Sequence, residues 1–314
     1  MAAALSVVIC THNPRKTYLQ RVMDALECQS LDRKMWDIIL VDNCSDNLME
    51  TRSDFQWPDN LRHVLASELG LSFARARGIR EATAPVVVFV DDDNILDPTY
   101  LEIALNISRE WPILGVWGGS IEPEFESPPP REVEPYLSML ALRTVERATW
   151  SNVSGSIAAT PWGAGLCLRT SLGLAYCDHL STSNVQITDR KGRDLVSGGD
   201  VELSYFACHT GLGMGVFPQL RVTHLIPKER VQAPYLLRLR TGIGTSDQLL
   251  AHKWLGRSPR SFRSPANLLR VGKELATRTG LDRRMYLADL KSTRDAMRII
   301  RNSRTMNGDA IQAL

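Results

Sequence analysis

Five apolar residues in a row, Val86, Val87, Val88, Phe89 and Val90, run straight into Asp91, Asp92 and Asp93. No other stretch limits the fold as tightly. The run shows no polar alternation, so it suits a strand covered on both faces, as in the parallel sheets of α/β proteins. Such sheets gather ligands at the carboxyl ends of their strands, and three carboxylates at that position mark the start of a site. If the extended geometry persists through the triplet, Asp91 and Asp93 share one side and Asp92 faces the other. Two carboxylates in one small space call for a cation, and hard oxygen ligands favour Mg²⁺ or Mn²⁺ with substrate phosphates completing its shell. The competing reading is an acidic turn capping the helix expected after Pro98.

A chain of 314 residues, 44% of them hydrophobic, can bury one large core with a smaller part attached. The boundary is expected at residue 227, with an α/β domain over 1–227 and a basic helical region over 228–314. The net charge of +2 conceals an asymmetry: over residues 228–304 basic side chains outnumber acidic ones roughly three to one, which favours an anionic partner. No apolar run approaches the ~20 residues of a membrane span, and the first residues lack the basic start and apolar core of a signal peptide. A cytoplasmic protein is expected, at most peripheral on the inner face of a membrane. Six cysteines without CxxC spacing argue for reduced thiols and against zinc.

Along the chain, residues 5–10 read as a first strand that Thr11, His12, Asn13 and Pro14 break into a loop. Apolar residues at helical spacing follow, and residues 36–41 form a second strand ending in Asp42 and Asn43. This is a right-handed strand, helix, strand unit, which brings Thr11, Asn13 and Asp42 to the crevice of Asp91 and Asp93; each alone is equally compatible with a turn or a helix cap. Residues 61–65 give a third strand, and 68–82 a glycine-broken loop leading into a helix. Arg75 and Arg77 sit early in that helix, facing either an anionic ligand or solvent. A helix over 98–111 and a strand over 113–117 come next.

Five glutamates and four prolines within 122–134 predict a mobile surface segment, a lid or acceptor-binding element or merely irregular chain. At 160–169, the small residues around Trp162, Gly163 and Gly165 among them, allow close backbone approach to a ligand or a tight turn into a strand. Gly198 and Gly199 then deliver Asp200 to the start of a helix, as a cap or as a general base on a movable support. The Gly-x-Gly-x-Gly at 211–215 follows a helix and is discounted as a dinucleotide motif. A short strand over 220–224 ends in His224, a structural histidine or a further metal ligand. Beyond it, helices are expected at 235–240, 248–254, 265–278 and 284–301, bounded by Gly242, Gly244, Gly256 and Gly280. The last has a broad apolar face amid Arg283, Arg284, Lys291, Arg294, Arg298 and Arg301; it packs on the core or lies on an anionic membrane.

Taken in order, five motifs resemble family 2 glycosyltransferases with the GT-A fold: SVVICTHN at 6–13, VDNCSD at 41–46, GLSFARARG at 70–78, the Asp triplet, and Gly198-Gly199-Asp200 where the family has Gly-Glu-Asp. The resemblance covers about residues 5–225. It implies a GT-A (Rossmann-like) mixed, mostly parallel sheet flanked by helices, with a C-terminal helical appendage. It further implies an inverting transfer of one sugar from a nucleotide-diphosphate donor, UDP-linked by preference, to a hydroxyl of a glycan or lipid-linked acceptor. Thr11, Asn13, Asp42, Arg75, Asp91 and Asp92 would contact the nucleotide. Asp93, with His224 as a further ligand, would hold Mn²⁺ or Mg²⁺. Trp162, Gly163 and Gly199 would meet the sugars, and Asp200 would be the base.

The sequence also departs from the family pattern. His12 stands where an aromatic is usual, Arg77 replaces an asparagine and Gly199 replaces a glutamate. The Gln-x-x-Arg-Trp element of processive synthases is missing, which favours single-sugar transfer. A catalytically idle nucleotide-sugar-binding module and a sugar-nucleotidyltransferase stay open as alternatives. No nucleic-acid partner is expected, and the oligomeric state is left open.

Overall fold

The structure, a computed structural model, describes residues 2–182, 197–259 and 264–311. Its first half alternates strand and helix: β1 (Leu5–Thr11), α1 (Lys16–Glu27), β2 (Trp36–Asp42), β3 (Leu61–Leu65), α2 (Leu71–Glu81), β4 (Val86–Asp91), β5 (Asn94–Leu96) and α3 (Tyr100–Glu110). The second half continues with β6 (Leu114–Phe125), a 3₁₀ segment (Arg131–Leu140), β7 (Thr149–Ser151), β8 (Cys167–Arg169), α4 (Thr170–Thr182), α5 (Gly199–His209) and β9 (Gly213–Ile226). Helices α6 (Ala233–Leu255), α7 (Pro265–Thr277) and α8 (Gly280–Ile311) close the chain.

The nine strands form one sheet in the order β3-β2-β1-β4-β8-β6-β9-β5, with β7 also paired to β9. Strands β3, β2, β1 and β4 are mutually parallel, β8 is antiparallel to both β4 and β6, and β9 is parallel to β6. With β5 and β7 antiparallel to β9, the sheet is mixed, four parallel pairings and four shorter antiparallel ones. Its two faces explain the unbroken apolar runs. Val7, Ile9, Ile38, Leu40, Val88 and Val90 pack on one side beneath α1 and α3; Val8, Ile39, Val41, Val87 and Phe89 pack on the other beneath α2, α4 and α5. Neighbouring residues point to opposite faces, and both faces are buried. Each such side chain contributes roughly 1.5–3 kcal/mol of burial.

Two expectations change, and one left open is resolved. The glutamate- and proline-rich stretch at 122–134 is not irregular at its start: Glu122 and Glu124 extend β6 and pair with Thr223 and Leu225 of β9. Arg21 holds Glu124 through a two-pronged ion pair, and Val133 is buried in the 3₁₀ segment. Gly242 and Gly244 do not end a helix but lie inside α6. A Cβ at position 244 would come within 2.6 Å of Ser292 Oγ on α8, so this glycine allows two helices to approach, a packing demand that outweighs its poor helix propensity. Of the two places expected for the apolar face of α8, packing holds for Met285, Ala288 and Ile300, which are buried with Ser292 and Ala296, while Leu287 and Ile299 stay 46% and 36% exposed.

No described helix is long and apolar enough to cross a membrane. All six cysteines are free, with Cys28 and Cys44 exposed rather than in the core.

Candidate active site

Strand register brings the site together. Thr11 is opposite Asp42 across β1 and β2, and Cys10 is opposite Asp91 across β1 and β4, so loops leaving three strands open along one edge. A cavity of about 360 Å³ lies there, lined by Thr11, His12, Asn43, Asp91, Asp92, Asp93, Arg230 and Tyr235 among others. Cys10 also touches it, but burial pushes its thiol up to about 12, which removes it as a nucleophile at neutral pH.

The alternation expected through the Asp triplet is not found. Strand β4 ends at Asp91, and the chain turns at Asp92 and Asp93 before β5 begins at Asn94. The turn is imposed by β5, which pairs with β9 on the far side of the sheet, Asn94 opposite His224. All three carboxylates consequently border one cavity. Asp91 Oδ1 accepts from Arg75 Nη2 at 3.3 Å. Asp92 is hydrogen-bonded by the Thr11 hydroxyl, and burial, reinforced by the charge of Asp93, raises its carboxyl well above the usual range. Asp93 is buried; its Oδ1 accepts from Asn94 Nδ2 at 3.0 Å and its Oδ2 from Arg230 Nη1 at 2.8 Å.

His224 faces the same point. Its Nδ1 lies 3.0 Å from the Leu140 carbonyl, an acceptor, so Nδ1 donates there and in the neutral ring Nε2 presents a lone pair. That Nε2 is 3.5 Å from Asp93 Oδ2 and 3.3 Å from Arg230 Nη1. Two acceptors thus converge on one cationic group, which is a guanidinium. The same donor pair fits a hard divalent ion whose remaining positions come from substrate phosphates, provided that Arg230 moves aside. Among the described residues no group of three or more His, Cys, Asp or Glu is arranged to hold an ion without such help.

The other expected nucleotide contacts have different places. Both oxygens of Asp42 accept backbone N–H groups, from Ser45 at 3.0 Å and Met49 at 2.9 Å. Asp42 shapes the loop over 43–49, and the cavity is lined by Asn43 instead. Asn13, in the left-handed region at φ 50°, is exposed and exchanges hydrogen bonds with Ser45 and Asp46. It ties two edge loops together. Asn43 reaches further: its Oδ1 accepts from Gly70 N at 2.8 Å and its Nδ2 donates to the Glu68 carbonyl at 2.7 Å, fixing the start of α2 and hence Arg75.

A contact chain leads from Asp91 to the second carboxylate site. Arg75 bonds Asp91 and packs over the Phe89 ring. Its guanidinium lies so near Gly163 that a Cβ there would be 2.8 Å from Nη2. Gly163 N donates to Asp200 Oδ2 at 2.7 Å. The close approach that Gly163 permits is therefore to the protein's own arginine, not to a ligand. Gly165 likewise abuts the Tyr100 hydroxyl, which donates to its carbonyl at 2.6 Å.

Asp200 sits in the first turn of α5, and its Oδ1 also accepts from Val201 N at 2.9 Å. Its support is packed against α6: at Gly198, φ 156°, an added Cβ would lie 3.2 Å from Ser246 Cβ, and Ser197 N donates to Ser246 Oγ at 3.1 Å. Gly199 and Asp200 border a small void beside Arg75. Asp200 and Trp162 also border a second, larger cavity of about 560 Å³. Met139, Ile157, Tyr205, Ile243, Leu250 and Leu255 give that cavity an apolar wall, while Asp247 and Arg257 supply charge. Asp247 still meets solvent, but protein surrounds it closely enough that desolvation raises its carboxyl above the usual range, with Arg240 opposing and Asp200 adding to the rise.

Arg230, Tyr235, Asp247 and Arg257 were not legible as site residues, because they lie in the basic helical part and reach the site only through the turn after β9 and the path of α6. Asn43 carried a signal, its place at a strand end beside Asp42. Glu202 is fully buried and held by Lys253 Nζ at 2.7 Å, the Tyr176 hydroxyl at 3.1 Å and Trp254 Nε1 at 3.4 Å, so it has no access to an acceptor.

Residues 6–160, about half the chain, match the family model described as glycosyl transferase family 2. Glucosyl-dolichyl phosphate glucuronosyltransferase of Haloferax volcanii is 24% identical over 38% of this chain and 39% of its own length. Cholesterol galactosyltransferase of Borreliella burgdorferi is 30% identical over 33% of this chain and 29% of its own. The chain thus spans about two fifths or less of these curated relatives. In fold it is similar to S. aureus TarS 1-349, at a TM-score of 0.50 and 18% identity, over 93% of this chain and 80% of that one. The mixed, helix-flanked sheet is that of the GT-A glycosyltransferases.

Proposed function

We infer that this chain, which belongs to glycosyl transferase family 2 through residues 6–160, moves one sugar from a nucleotide-diphosphate donor to a hydroxyl acceptor with inversion at the anomeric carbon. The observation that carries the reading is the contact chain Asp91, Arg75, Gly163, Asp200, which joins the cavity of the Asp triplet to the apolar cavity. One cavity suits the donor and the other the acceptor, with a carboxylate at the boundary.

The donor nucleotide, read as uridine diphosphate, lies against Thr11, His12, Asn43 and Asp91, while its diphosphate faces Arg230 and Asp93. Mn²⁺ or Mg²⁺, held by Asp93 and His224 with the phosphates, would neutralise charge on the leaving diphosphate. Asp200 takes the proton of the acceptor hydroxyl, whose oxygen bonds to the anomeric carbon as the carbon–oxygen bond to the diphosphate breaks and the electron pair leaves with the phosphate. The Gly163 N–H fixes one carboxylate oxygen and so orients the other. Trp162 and Gly199 flank this point. The acceptor cavity's apolar wall favours a hydroxyl carried by an amphipathic or lipid-linked molecule, in keeping with two relatives whose names specify a dolichyl phosphate and cholesterol. The free thiols accord with a cytoplasmic location.

The test is Asp200→Asn, which keeps the size of the side chain and one acceptor oxygen for Gly163 N or Val201 N, Asp200 lying in the first turn of α5 with Gly198 at the cap position. It should bind the nucleotide normally by calorimetry and lose roughly 10²–10⁴ in kcat. A folded variant with wild-type turnover would overturn Asp200 as base. Donor binding with no turnover by the wild type across glycan and lipid acceptors would leave a nucleotide-sugar-binding module instead.

A further inference from the structure

Helix α7 differs from the other described α-helices because none of its residues is buried. It is nevertheless a well-defined helix: the Ser264 side chain caps it by accepting from Asn267 N at 3.3 Å, and Pro265 occupies the first turn. At its end Arg278 pairs with Glu274 at 3.0 Å and with Asp282 at 2.7 Å. Its residues segregate at helical period. Leu268, Val271 and Leu275 fall on one side with Asn267 and Leu269 at its flanks, while Arg270, Lys273 and Thr277 fall opposite and Glu274 lies between; Val271 and Leu275 are half-buried and Leu268 and Leu269 exposed. Leu268 and Leu269 are 57% and 76% exposed, a cost in water that an occupant would relieve.

Charge selects the occupant. From Arg257 to Lys273 the sequence has five basic residues and no acidic one. An apolar stripe alone would suit another protein, but one set within an unbroken basic segment suits the interface of an anionic bilayer, where the leucines enter the acyl boundary and the basic groups meet the headgroups. We propose that α7 lies in the headgroup layer of an anionic membrane and docks the protein there. The long basic helix α8 is not the docking element, because Met285, Ala288, Ala296 and Ile300 on its inner face are already buried, most of its contacts being with α6, which leaves only the isolated Leu287 and Ile299 exposed. Position adds sense to this: Leu255 and Arg257, just before α7, line the cavity that Asp200 borders, so docking brings that cavity toward the lipid. The inference stands on amphipathicity and charge, and its assay needs no sugar donor, so it can fail or succeed independently of the transfer reaction.

The experiment is flotation of the full chain with phosphatidylcholine vesicles, with and without phosphatidylglycerol, at low and high salt. Binding is expected only with phosphatidylglycerol, and weaker at high salt. Changing Arg270 and Lys273 to Gln should lower the partition coefficient roughly 25-fold, about fivefold for each charge removed. The double change Leu268→Glu and Leu269→Glu should abolish flotation with an unchanged circular dichroism spectrum, whereas Leu287→Glu on α8, 46% exposed, should leave it intact. Failure of the wild type to float, equal flotation with neutral vesicles, or unaltered flotation of the leucine variant would each overturn the proposal. A concentration-dependent dimer lost on Leu269→Glu, without lipid binding, would also overturn it and make this face a contact between copies.

Discussion

Replacing Lys253 by Met tests whether the basic helical region is part of the catalytic unit. Glu202 belongs to α5, which also carries Asp200, and its carboxylate is fully buried with Lys253 Nζ at 2.7 Å. Methionine keeps most of the apolar stem of lysine and removes only the charge. The remaining hydrogen bonds from Tyr176 and Trp254 are neutral and leave the buried anion uncompensated. Breaking a buried pair in this way costs about 3–5 kcal/mol, a large share of the 5–15 kcal/mol typical of a whole protein. With an unfolding entropy of about 2.1 cal/mol/K per residue, a chain of this length should lose roughly 5–8 °C in Tm. Urea unfolding gives the free energy, and the double variant Glu202→Leu, Lys253→Met should recover most of it, since two apolar side chains can replace a buried pair at little cost. A Lys253→Met loss below about 1 kcal/mol, the range of exposed pairs, would refute the reasoning. So would a double variant as unstable as the sum of the singles.

Arg230 and Gly163 make two further cases. Arg230→Met removes the cation facing Asp93, so affinity for nucleoside diphosphate measured by calorimetry in the presence of EDTA should fall by at least tenfold, a charged hydrogen bond being worth roughly 1.5–3 kcal/mol; unchanged affinity would remove Arg230 from the diphosphate site. Gly163→Ala should leave stability within about 1 kcal/mol, because the added carbon meets only the end of a flexible arginine. It should still lower kcat/KM by displacing Arg75 from between Asp91 and Asp200. A variant with full activity would show that the Arg75 position does not matter.

The alternating strands and helices, the edge where the site opens and the first residues of each motif were legible from the sequence, because buried parallel strands need continuous apolar runs and end where polar residues begin. Val86 to Val90 could pack in few other ways. The same local logic located Asp91 and Asp93, Arg75 in its helix, and Asp200 after two glycines. Helix α4 went unread, since its glycine and threonines give little helical signal and its stability comes from burying Leu172, Tyr176 and Cys177 beneath the sheet. The orientation of Asp92 was misread because it follows from a turn that β5 imposes by pairing with β9, a contact 130 residues apart in sequence. Gly244 reads as a helix break until Ser292 of a separate helix is seen against it. Local chemistry sets which residues can form a strand end, a cap or a carboxylate cluster. Which cation meets Asp93, which backbone N–H orients Asp200, and which wall the acceptor meets depend on long-range packing, because Arg230, Gly163 and α6 come from distant parts of the chain and are brought to the same edge only by the closed tertiary structure.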